Sequence, residues 1–270
     1  MLSIVAGDGA MGRAVAAALA GRGTPPTAIL GLPESPLGHS PAAFGGADVV
    51  FDFTTGEAVL LNVRAALDGG VRRFVIGTTN WAGDRDAVEQ LLIARQASAV
   101  ASPSFSLGVI LFARLVEEAA RLFGPFDDYD PYVVEWHRRT KADRPSGTAL
   151  ELSRRLIAAH PRKTRIARVV AHGAPGPEEL DVAVIRAGAA PGMHLVGFDA
   201  PGESLEMRLT ARDRSAYAAG AVTAAEWLLA EPRDPGLHSF DTVVDSIVAK
   251  RQAAQAAAET IPATPSGAAR

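Results

Sequence analysis

The pattern of apolar residues changes character near the middle of the chain. Up to Ala101, short apolar runs alternate with stretches of helical composition. This alternation is typical of a parallel sheet with crossover helices. The second half carries a long helix and then successive strand-like runs, which indicates a separate domain with a mostly antiparallel sheet. The predicted fold class is α/β, a Rossmann-type doubly wound parallel sheet with a second α+β domain.

The boundaries of these elements follow from the apolar runs and from the glycines and prolines between them. Strands are predicted at 2–6, 28–32, 48–53, 74–77, 98–101, 132–136, 165–171, 180–187, 194–200 and 204–211. Helices are predicted at 11–20, 57–67, 84–96, 107–122, 148–160, 215–229 and 241–251. The first domain is placed at 1–104 plus 215–250 and the second at 105–214. The tail, 251–270, has few large apolar residues and is expected to be disordered or a frayed helix.

The composition narrows the classes of protein to consider. With 48% hydrophobic and 21% charged residues, the chain is of the soluble globular type. No apolar run approaches the ~18 residues of a membrane-spanning helix, and no secretory signal precedes the first strand, so a cytoplasmic protein is expected. A net charge of −3 gives no electrostatic case for nucleic acid. The absence of cysteine excludes disulfides and thiolate sites, and no histidine or carboxylate spacing indicates a metal.

A glycine-rich motif follows the first predicted strand and opens the first predicted helix. It fits G-x-G-x-x-G and consists of Gly7, Asp8, Gly9, Ala10, Met11 and Gly12. In this pattern Gly7 permits a tight turn, Gly9 lets the backbone approach a pyrophosphate, and Gly12 lets the helix pack closely on the strand. The helix N-terminus adds N–H donors. The motif predicts a dinucleotide-binding site, and the alternative is an ordinary glycine-rich turn.

One acidic residue, Glu34, stands where a ribose-binding carboxylate is expected, near the end of the second predicted strand. Such a carboxylate accepts hydrogen bonds from the ribose hydroxyls and repels a 2′-phosphate. No arginine or lysine lies within several residues of it. The cofactor is therefore expected to be NADH or NADPH, with a slight preference for NADH. The alternative is that Glu34 is a solvated loop residue.

A second motif lies just beyond the predicted strand at 132–136. It contains His137 and Lys141, four positions apart in a polar loop. Histidine is suited to proton transfer near neutral pH. The lysine is notable because the 27 basic residues include only three lysines, and an ammonium group can give up a proton where a guanidinium cannot. Gly147 and Thr148 then open a helix whose N-terminus can bind a carboxylate. The alternative is a basic surface loop with a capped helix.

The residues 135–149, EWHRRTKADRPSGTA, carry a family resemblance. They resemble the E-x-H-H-x-x-K-x-D-x-P-S-G-T-A segment of the 4-hydroxy-tetrahydrodipicolinate reductases, also called dihydrodipicolinate reductases. Further landmarks appear in the family's order, at 7–13, 52–54, 77–79, 104–109, 185–188, 194 and 214–221. The resemblance covers roughly residues 1 to 230 and leaves only the tail unexplained.

The resemblance implies reduction of 4-hydroxy-tetrahydrodipicolinate to tetrahydrodipicolinate with NAD(P)H, in the diaminopimelate route to lysine. By position, His137 would donate or accept a proton, Lys141 would be a second proton donor, and Gly147 and Thr148 would bind a substrate carboxylate. It also implies a homotetramer formed through the sheet of the second domain. Besides the first motif, the residues implied to line the cofactor site are Gly77, Thr78, Thr79, Ser102, Pro103, Ser104 and Phe105.

Three positions depart from the family pattern. The family's second histidine is Arg138 here, an asparagine is Ser104, and a later histidine is Leu209. Arg138 can still bind a carboxylate, in a bidentate manner. These changes leave open a related imine reductase with a different cyclic substrate. A non-catalytic dinucleotide-binding sensor is a further alternative, although such a protein has no need for the pair His137 and Lys141.

Overall fold

The computed structural model describes residues 1–33, 38–168 and 173–259. The strands, in chain order, are β1 (Ser3–Ala6), β2 (Ala28–Leu30), β3 (Val49–Asp52), β4 (Arg73–Ile76), β5 (Ser98–Ala101), β6 (Asp130–His137), β7 (Arg165–Ile166), β8 (Glu179–Arg186), β9 (Met193–Ala200), β10 (Glu203–Thr210) and β11 (Gly236–Ser239). The helices are α1 (Ala10–Gly21), α2 (Val59–Asp68), α3 (Arg85–Ala94), α4 (Leu107–Phe123), α5 (Gly147–Ala159), α6 (Ser215–Ala230) and α7 (Phe240–Glu259). Short 3-10 helices lie at Pro41–Phe44, Gly56–Ala58 and Ala82–Asp84.

Two units make up the described chain. The first contains Met1–Pro103 and the described residues from Ala221 onward, and the second is Ser104–Gly220. The later division therefore falls inside α6, whereas the sequence placed it at the start of that helix. Ser215, Ala216 and Tyr217, in the first turn of α6, line a cavity in the second unit. In the described ranges, no helix is long and apolar enough to span a membrane.

The first unit is built on a six-stranded sheet in the order β11-β5-β4-β3-β1-β2. All of its pairings are parallel, which confirms the predicted doubly wound sheet. β1, β3 and β5 are buried along their whole length, as expected for strands covered on both faces. Because β1 has β2 on one side and β3 on the other, the strand order reverses there. In such sheets ligands bind outside the carboxyl ends of the strands at this point.

The sixth strand was not predicted from the sequence. β11 pairs with the edge of β5, and it contains one large apolar residue, Leu237, among smaller or polar ones. A run of this kind has neither the length nor the β-branched content that signals a strand. Pairing with an existing sheet edge, and not local propensity, therefore accounts for β11.

The second unit contains a five-stranded sheet in the order β10-β9-β6-β8-β7. β9 runs antiparallel to both of its neighbours, whereas β8 runs parallel to β6 and to β7. The prediction of a mostly antiparallel sheet was therefore wrong, and the sheet is mixed. The reason is that α5 lies between β6 and β8 along the chain, and a helical crossover returns the chain in the parallel direction. Part of the strand predicted at 165–171 lies outside the described residues.

One face of this sheet packs on α4 and α5. The buried side chains between them include Phe112 and Val116 from α4, Leu152 from α5, and Val133 and Phe198 from the strands. Residues on the inner face alternate with residues on the other face along each strand.

The opposite face of the sheet, here called the open face, presents apolar side chains. Trp136 of β6 lies beside Ile185 of β8 in the register, and the two are 37% and 43% exposed. Val134 and Leu195 are neighbours one step along and are half-buried.

The last helix runs further than expected. α7 continues through Glu259, past the helix predicted at 241–251, and a frayed helix was one of the two expectations for the tail from residue 251. The residues at 251–256 are exposed. The many alanines and glutamines of this segment are strong helix formers, and that propensity extends the helix past its predicted end. Residues 260–270 lie outside the described chain.

Candidate active site

The predicted dinucleotide loop lies at the carboxyl end of β1, beside the end of β3. Gly7 has a φ of +108°, and a Cβ at this position would lie 2.4 Å from the carbonyl oxygen of Phe53. A Cβ on Gly12 would lie 1.8 Å from the carbonyl oxygen of Gly7. Both glycines are therefore required for the loop to close against α1 and β3.

The start of α1 fits a bound pyrophosphate. Gly9 is the N-cap and offers no side-chain hydrogen bond to the first turn. A Cβ added there would meet nothing within 4 Å, so the backbone faces open space. Asp8 and Ala10 are exposed and Met11 is half-buried beside it. The N–H groups of a first helical turn have no intrahelical partner and attract anions, so these residues fit the phosphates of a dinucleotide.

A buried polar network joins the ends of β3 and β4 next to this loop. The carboxylate of Asp52, 1% exposed, accepts hydrogen bonds from Asn62 Nδ2 (2.9 Å), Thr54 Oγ1 (2.6 Å) and Thr78 Oγ1 (2.7 Å). The backbone N–H of Thr54 in turn donates to Thr78 Oγ1 at 2.8 Å. Thr78, which follows β4, therefore also binds residues at the end of β3. The sequence did not identify Asn62, because its helical position alone gives no sign of this contact.

The other predicted cofactor residues are distributed as follows. Gly77 leaves no room for a side chain, since a Cβ would lie 2.1 Å from the ring of Phe53. Thr79 is exposed beyond β4. The N–H of Ser102 donates to the carbonyl of Ile76 at 3.1 Å, which places Ser102 and the following Pro103 beside the end of β4. Ser104 and Phe105 belong to the second unit, and Glu34 lies outside the described residues.

The second predicted motif lies on the inner face of the second sheet, where three strands meet. Glu135 and His137 are two residues apart on β6 and share this face. The register sets His194 of β9 opposite Glu135 and Arg186 of β8 opposite His137. The pleat therefore assembles four polar side chains from three strands. The sequence predicted only His137 among them as a site residue, because the strand pairing that joins the others cannot be read from spacing.

Glu135 is fully buried and held through one oxygen. Its Oε1 accepts hydrogen bonds from the backbone N–H of Ser146 (2.9 Å) and from Arg186 Nη2 (2.7 Å). Burial alone would raise the pKa of this carboxyl, but the hydrogen bonds from Ser146 and the cation of Arg186 outweigh it and lower the pKa. Glu135 is therefore an ionised carboxylate inside the protein, paired with a guanidinium whose side chain is 7% exposed.

The second oxygen of Glu135 faces His137. Its Oε2 lies 3.3 Å from His137 Nδ1, and in the described chain neither atom has a hydrogen-bond partner of good geometry. His137 is 7% exposed. Burial lowers its pKa and Glu135 partly offsets this, while Lys141 and Arg186 lower it further. The imidazole is therefore mostly neutral near pH 7 in the absence of ligand.

His194 packs against His137 without adding charge. The two rings lie edge to face with centroids 5.2 Å apart. Burial, followed by repulsion from His137, lowers the pKa of His194 to about 4. Its Nδ1 is buried without a hydrogen-bond partner in the described chain. His194 is consequently a neutral wall of the site at physiological pH.

A cavity of about 270 Å³ within the second unit is lined in part by His194. Its lining includes Ser106, Gly108, Gly192, His194, Leu209 and Tyr217. A Cβ on Gly192 would lie 2.9 Å from His137 Nε2, so a side chain there would cover that nitrogen. Gly192, which lines the cavity, therefore leaves the space next to Nε2 of His137 free of a side chain.

The turn after β6 carries the other predicted catalytic residue. Lys141 Nζ forms an ion pair with Asp143 Oδ1 at 2.7 Å, and its side chain is partly exposed. The turn is closed by a hydrogen bond from the N–H of Lys141 to the carbonyl of Arg138 (3.1 Å). Burial would raise the pKa of Asp143, but the bond from Lys141 lowers it. Arg138 is exposed at the same turn.

The first turn of α5 follows directly. Ser146 is the N-cap, and its Oγ accepts a hydrogen bond from Ala149 N at 3.2 Å. Gly147 is exposed, and a Cβ there would meet nothing within 4 Å. Thr148 is half-buried. The helix start is therefore open to an anionic ligand at the positions where the sequence predicted carboxylate binding.

The side chains of Glu135, His137 and His194 are types that bind metal ions, and their ligating atoms lie within 4.8 Å of one another. The sequence gave no sign of this grouping, since the spacing along the chain is irregular. Arg186 already neutralises the charge of Glu135 through a 2.7 Å contact. A divalent cation would add uncompensated positive charge beside that guanidinium, so the cluster is better suited to holding a proton.

Comparisons with known proteins agree over both units. Residues 2–105 match the family described as dihydrodipicolinate reductase, N-terminus, and residues 108–244 match its C-terminus. The 4-hydroxy-tetrahydrodipicolinate reductase of Archaeoglobus fulgidus is 38% identical over 202 residues, which covers 74% of this chain and 76% of the relative. That of Halorhodospira halophila is 36% identical over 246 residues, which covers 88% of this chain and 85% of the relative.

A solved structure shows the same fold. It is a dipicolinate-bound dihydrodipicolinate reductase from Paenisporosarcina sp. TG-14, with a TM-score of 0.64 and 19% sequence identity, covering 88% of this chain and 97% of the other. Family matches across both units and identities above one third over most of the length lead to one conclusion: the chain belongs to the dihydrodipicolinate reductase family.

Proposed function

We propose that this protein is a 4-hydroxy-tetrahydrodipicolinate reductase, which reduces its substrate with NAD(P)H in the diaminopimelate route to lysine. The observation that carries the proposal is the buried pair of Glu135 and His137, placed next to Lys141 and an open helix start, in a chain with a dinucleotide loop. A binding protein without catalysis would have no use for a buried carboxylate directed at a histidine.

The first unit would hold the cofactor through the loop from Gly7 to Gly12. Gly77, Thr78 and Thr79 would line the same site, with Ser102 and Pro103 beside β4. The roles of Ser104 and Phe105 rest on the family resemblance. When bound, the nicotinamide supplies a hydride, and the protein supplies orientation and electrostatics. NADH is proposed as the better cofactor, because residues 28–40 contain Glu34 and no arginine or lysine to meet a 2′-phosphate.

The second unit would bind the two carboxylates of the substrate and manage a proton. Gly147 and Thr148 present backbone N–H groups at the start of α5, and Arg138 and Lys141 supply positive charge. A dianionic ligand in contact with His137 would raise the pKa of its imidazole, opposing the effect of burial. Substrate binding would thus favour protonation of His137, which could then donate the proton that reduction of the imine requires.

The test measures oxidation of NADH and of NADPH with enzymatically generated 4-hydroxy-tetrahydrodipicolinate. Turnover that depends on this substrate is expected, with the higher kcat/KM for NADH. Calorimetric titration with NADH and with dipicolinate separately measures whether the two sites bind their ligands. Tight NADH binding without any turnover would overturn the assignment of the reaction, and a higher kcat/KM with NADPH would overturn the cofactor preference.

A second candidate is a related reductase acting on another cyclic imine. The observation in its favour is Leu209, which stands opposite His194 in the register and lines the same cavity with an apolar side chain. A substrate with fewer polar groups at that wall would suit it. Turnover with a cyclic imine bearing one carboxylate, exceeding turnover with the dicarboxylate, would favour this candidate.

The oligomer is proposed to be a homotetramer formed through the open face of the second sheet. Ile185 is exposed on this face, and burying apolar side chains is the main driving force of association. Ile185→Glu is therefore expected to lower the molar mass measured by light scattering from that of a tetramer. The matched control is Leu122→Glu on α4, a more exposed leucine away from the open face. An unchanged mass for Ile185→Glu would contradict the use of this face.

A further inference from the structure

The role of Glu135 is not accounted for by structural support alone. Its Oε1 already satisfies the N–H of Ser146 and the guanidinium of Arg186. Its Oε2 is buried without a hydrogen-bond partner in the described chain, as is Nδ1 of His137, 3.3 Å away. Buried polar groups are rarely left unpaired, and catalytic hydrogen bonds are often long before ligand binds. Two such atoms facing each other indicate a hydrogen bond that a small rotation of the ring would complete.

The direction of this hydrogen bond is set by charge. A carboxylate can only accept, so the proton must lie on Nδ1 of His137. In the neutral ring the other nitrogen, Nε2, then carries the lone pair. Nε2 is also the nitrogen that Gly192, which lines the cavity, leaves free of a side chain. Ser146 and Arg186 hold the carboxylate of Glu135 in place. A hydrogen bond from His137 to this carboxylate would therefore also fix the orientation of the imidazole ring.

We propose that Glu135 is a positioning residue that holds His137 with its proton on Nδ1, so that Nε2 is the nitrogen that exchanges a proton with the substrate. The catalytic part of this role rests on the proposed reductase function, whereas the position of the proton on Nδ1 does not depend on it. Arg186 and Ser146 serve Glu135 in turn, by occupying the oxygen that His137 does not use.

Glu135 is the anionic group that faces a ring nitrogen of His137, with its Oε2 3.3 Å from Nδ1. His194 on β9 is an edge-to-face neutral ring, Arg186 on β8 is cationic, and the turn contributes Lys141 together with Asp143. Of these, Glu135 and Asp143 raise the pKa of His137, and Lys141 and Arg186 lower it. Removing the charge of Glu135 should therefore lower the pKa of His137 further.

The first experiment reads the proton position directly. Nitrogen NMR of the imidazole rings in protein labelled with ¹⁵N-histidine distinguishes the two neutral tautomers, without any turnover. His137 is assigned by the signal that disappears in His137→Asn. A Nδ1–H tautomer for His137 above neutral pH is expected. A Nε2–H tautomer in the unmodified protein would overturn the proposal whether or not the chain is a reductase.

The second experiment uses Glu135→Gln, which retains an oxygen for Ser146 and Arg186 but turns an N–H₂ donor toward His137. The ring should then switch to the Nε2–H tautomer, and its NMR titration should move to lower pH. kcat is expected to fall about 10²-fold, a typical contribution of a positioned proton donor, with little change in the dissociation constants for NADH and dipicolinate. Glu118→Gln, the same substitution at an exposed site on α4, is the control.

The outcomes separate the proposal from its alternatives. A switched tautomer with unchanged kcat would overturn the catalytic role of the Nε2 nitrogen. If Glu135→Gln lowers kcat but His137 keeps its Nδ1–H tautomer, Glu135 has only a structural role, and the proposal is overturned. If Glu135→Gln does not fold, the tautomer of His137 in the unmodified protein still tests the proposal. Absence of turnover in every protein would count against the reductase function alone.

Discussion

Replacing His137 by alanine is expected to lower kcat for imine reduction about 10²- to 10⁴-fold, the range that a positioned acid or base contributes. The physical reason is that the imidazole is buried against Glu135 and that Gly192 leaves the space next to its Nε2 free of a side chain. The dissociation constant for NADH should be unaffected, because the dinucleotide loop belongs to the other unit. Stopped-flow measurement of a single turnover, together with NADH titration, checks both statements.

The control is His238→Ala, which removes a histidine from β11 in the first unit. If His137→Ala keeps kcat within twofold while His238→Ala does the same, His137 is not the proton donor. Lys141 would then be the remaining candidate. In that event Lys141→Arg, which keeps the charge but cannot release the proton, should show the large loss instead.

Gly12→Ala is expected to weaken NADH binding roughly 10- to 100-fold and to lower Tm, since overpacking of a closely packed site costs about 1–3 kcal/mol. The new Cβ would lie 1.8 Å from the carbonyl oxygen of Gly7, and backbone atoms on both sides must move to admit it. The effect should appear in the protein without ligand as well, because the collision is internal. Calorimetric titration with NADH and thermal unfolding measure the two consequences.

Two other glycines of the same region provide matched controls. Gly9→Ala places its Cβ in open space, so Tm should hold while NADH binding weakens, because the pyrophosphate would approach there. Gly21→Ala, at the end of α1, also meets nothing within 4 Å, so it should leave NADH affinity unchanged and should not lower Tm, because alanine is the better helix former. Equal Tm and equal NADH affinity in Gly12→Ala and Gly21→Ala would show that the loop does not have the described geometry.

Most of the first unit could be predicted because its strands and its glycine loop are recognisable from residues that are close together in the sequence. Buried parallel strands are continuous apolar runs, and a glycine loop between a strand and a helix identifies the ligand end of the sheet. β11 escaped because it is stabilised by a neighbour that lies far away in sequence. The extension of α7 to Glu259 has the opposite cause, because local helix propensity continues it past the predicted helix, and a frayed helix was one of the two expectations for the tail.

The candidate site was only half visible in the sequence. His137, at the end of β6, and Lys141, in the turn that follows, belong to one sequence motif and could be found there, with the family resemblance adding their roles. Arg186 and His194 come from other strands, and only the register of the mixed sheet brings them to His137. Glu135 lies in the motif that carries the family resemblance. Its position in the sequence does not predict that its second oxygen faces His137.

The scarcity of lysine has a practical consequence for studying this protein. Lys163 is buried, with Nζ bound to Asp130 and to the carbonyl oxygen of Glu179, whereas Lys250 is exposed on α7. Lys141 therefore shares amine-reactive labelling with only one other accessible lysine side chain and the amino terminus. Mass spectrometry of the labelled peptides can follow the modification of Lys141, and protection of Lys141 by an added ligand would report occupancy of the proposed carboxylate site.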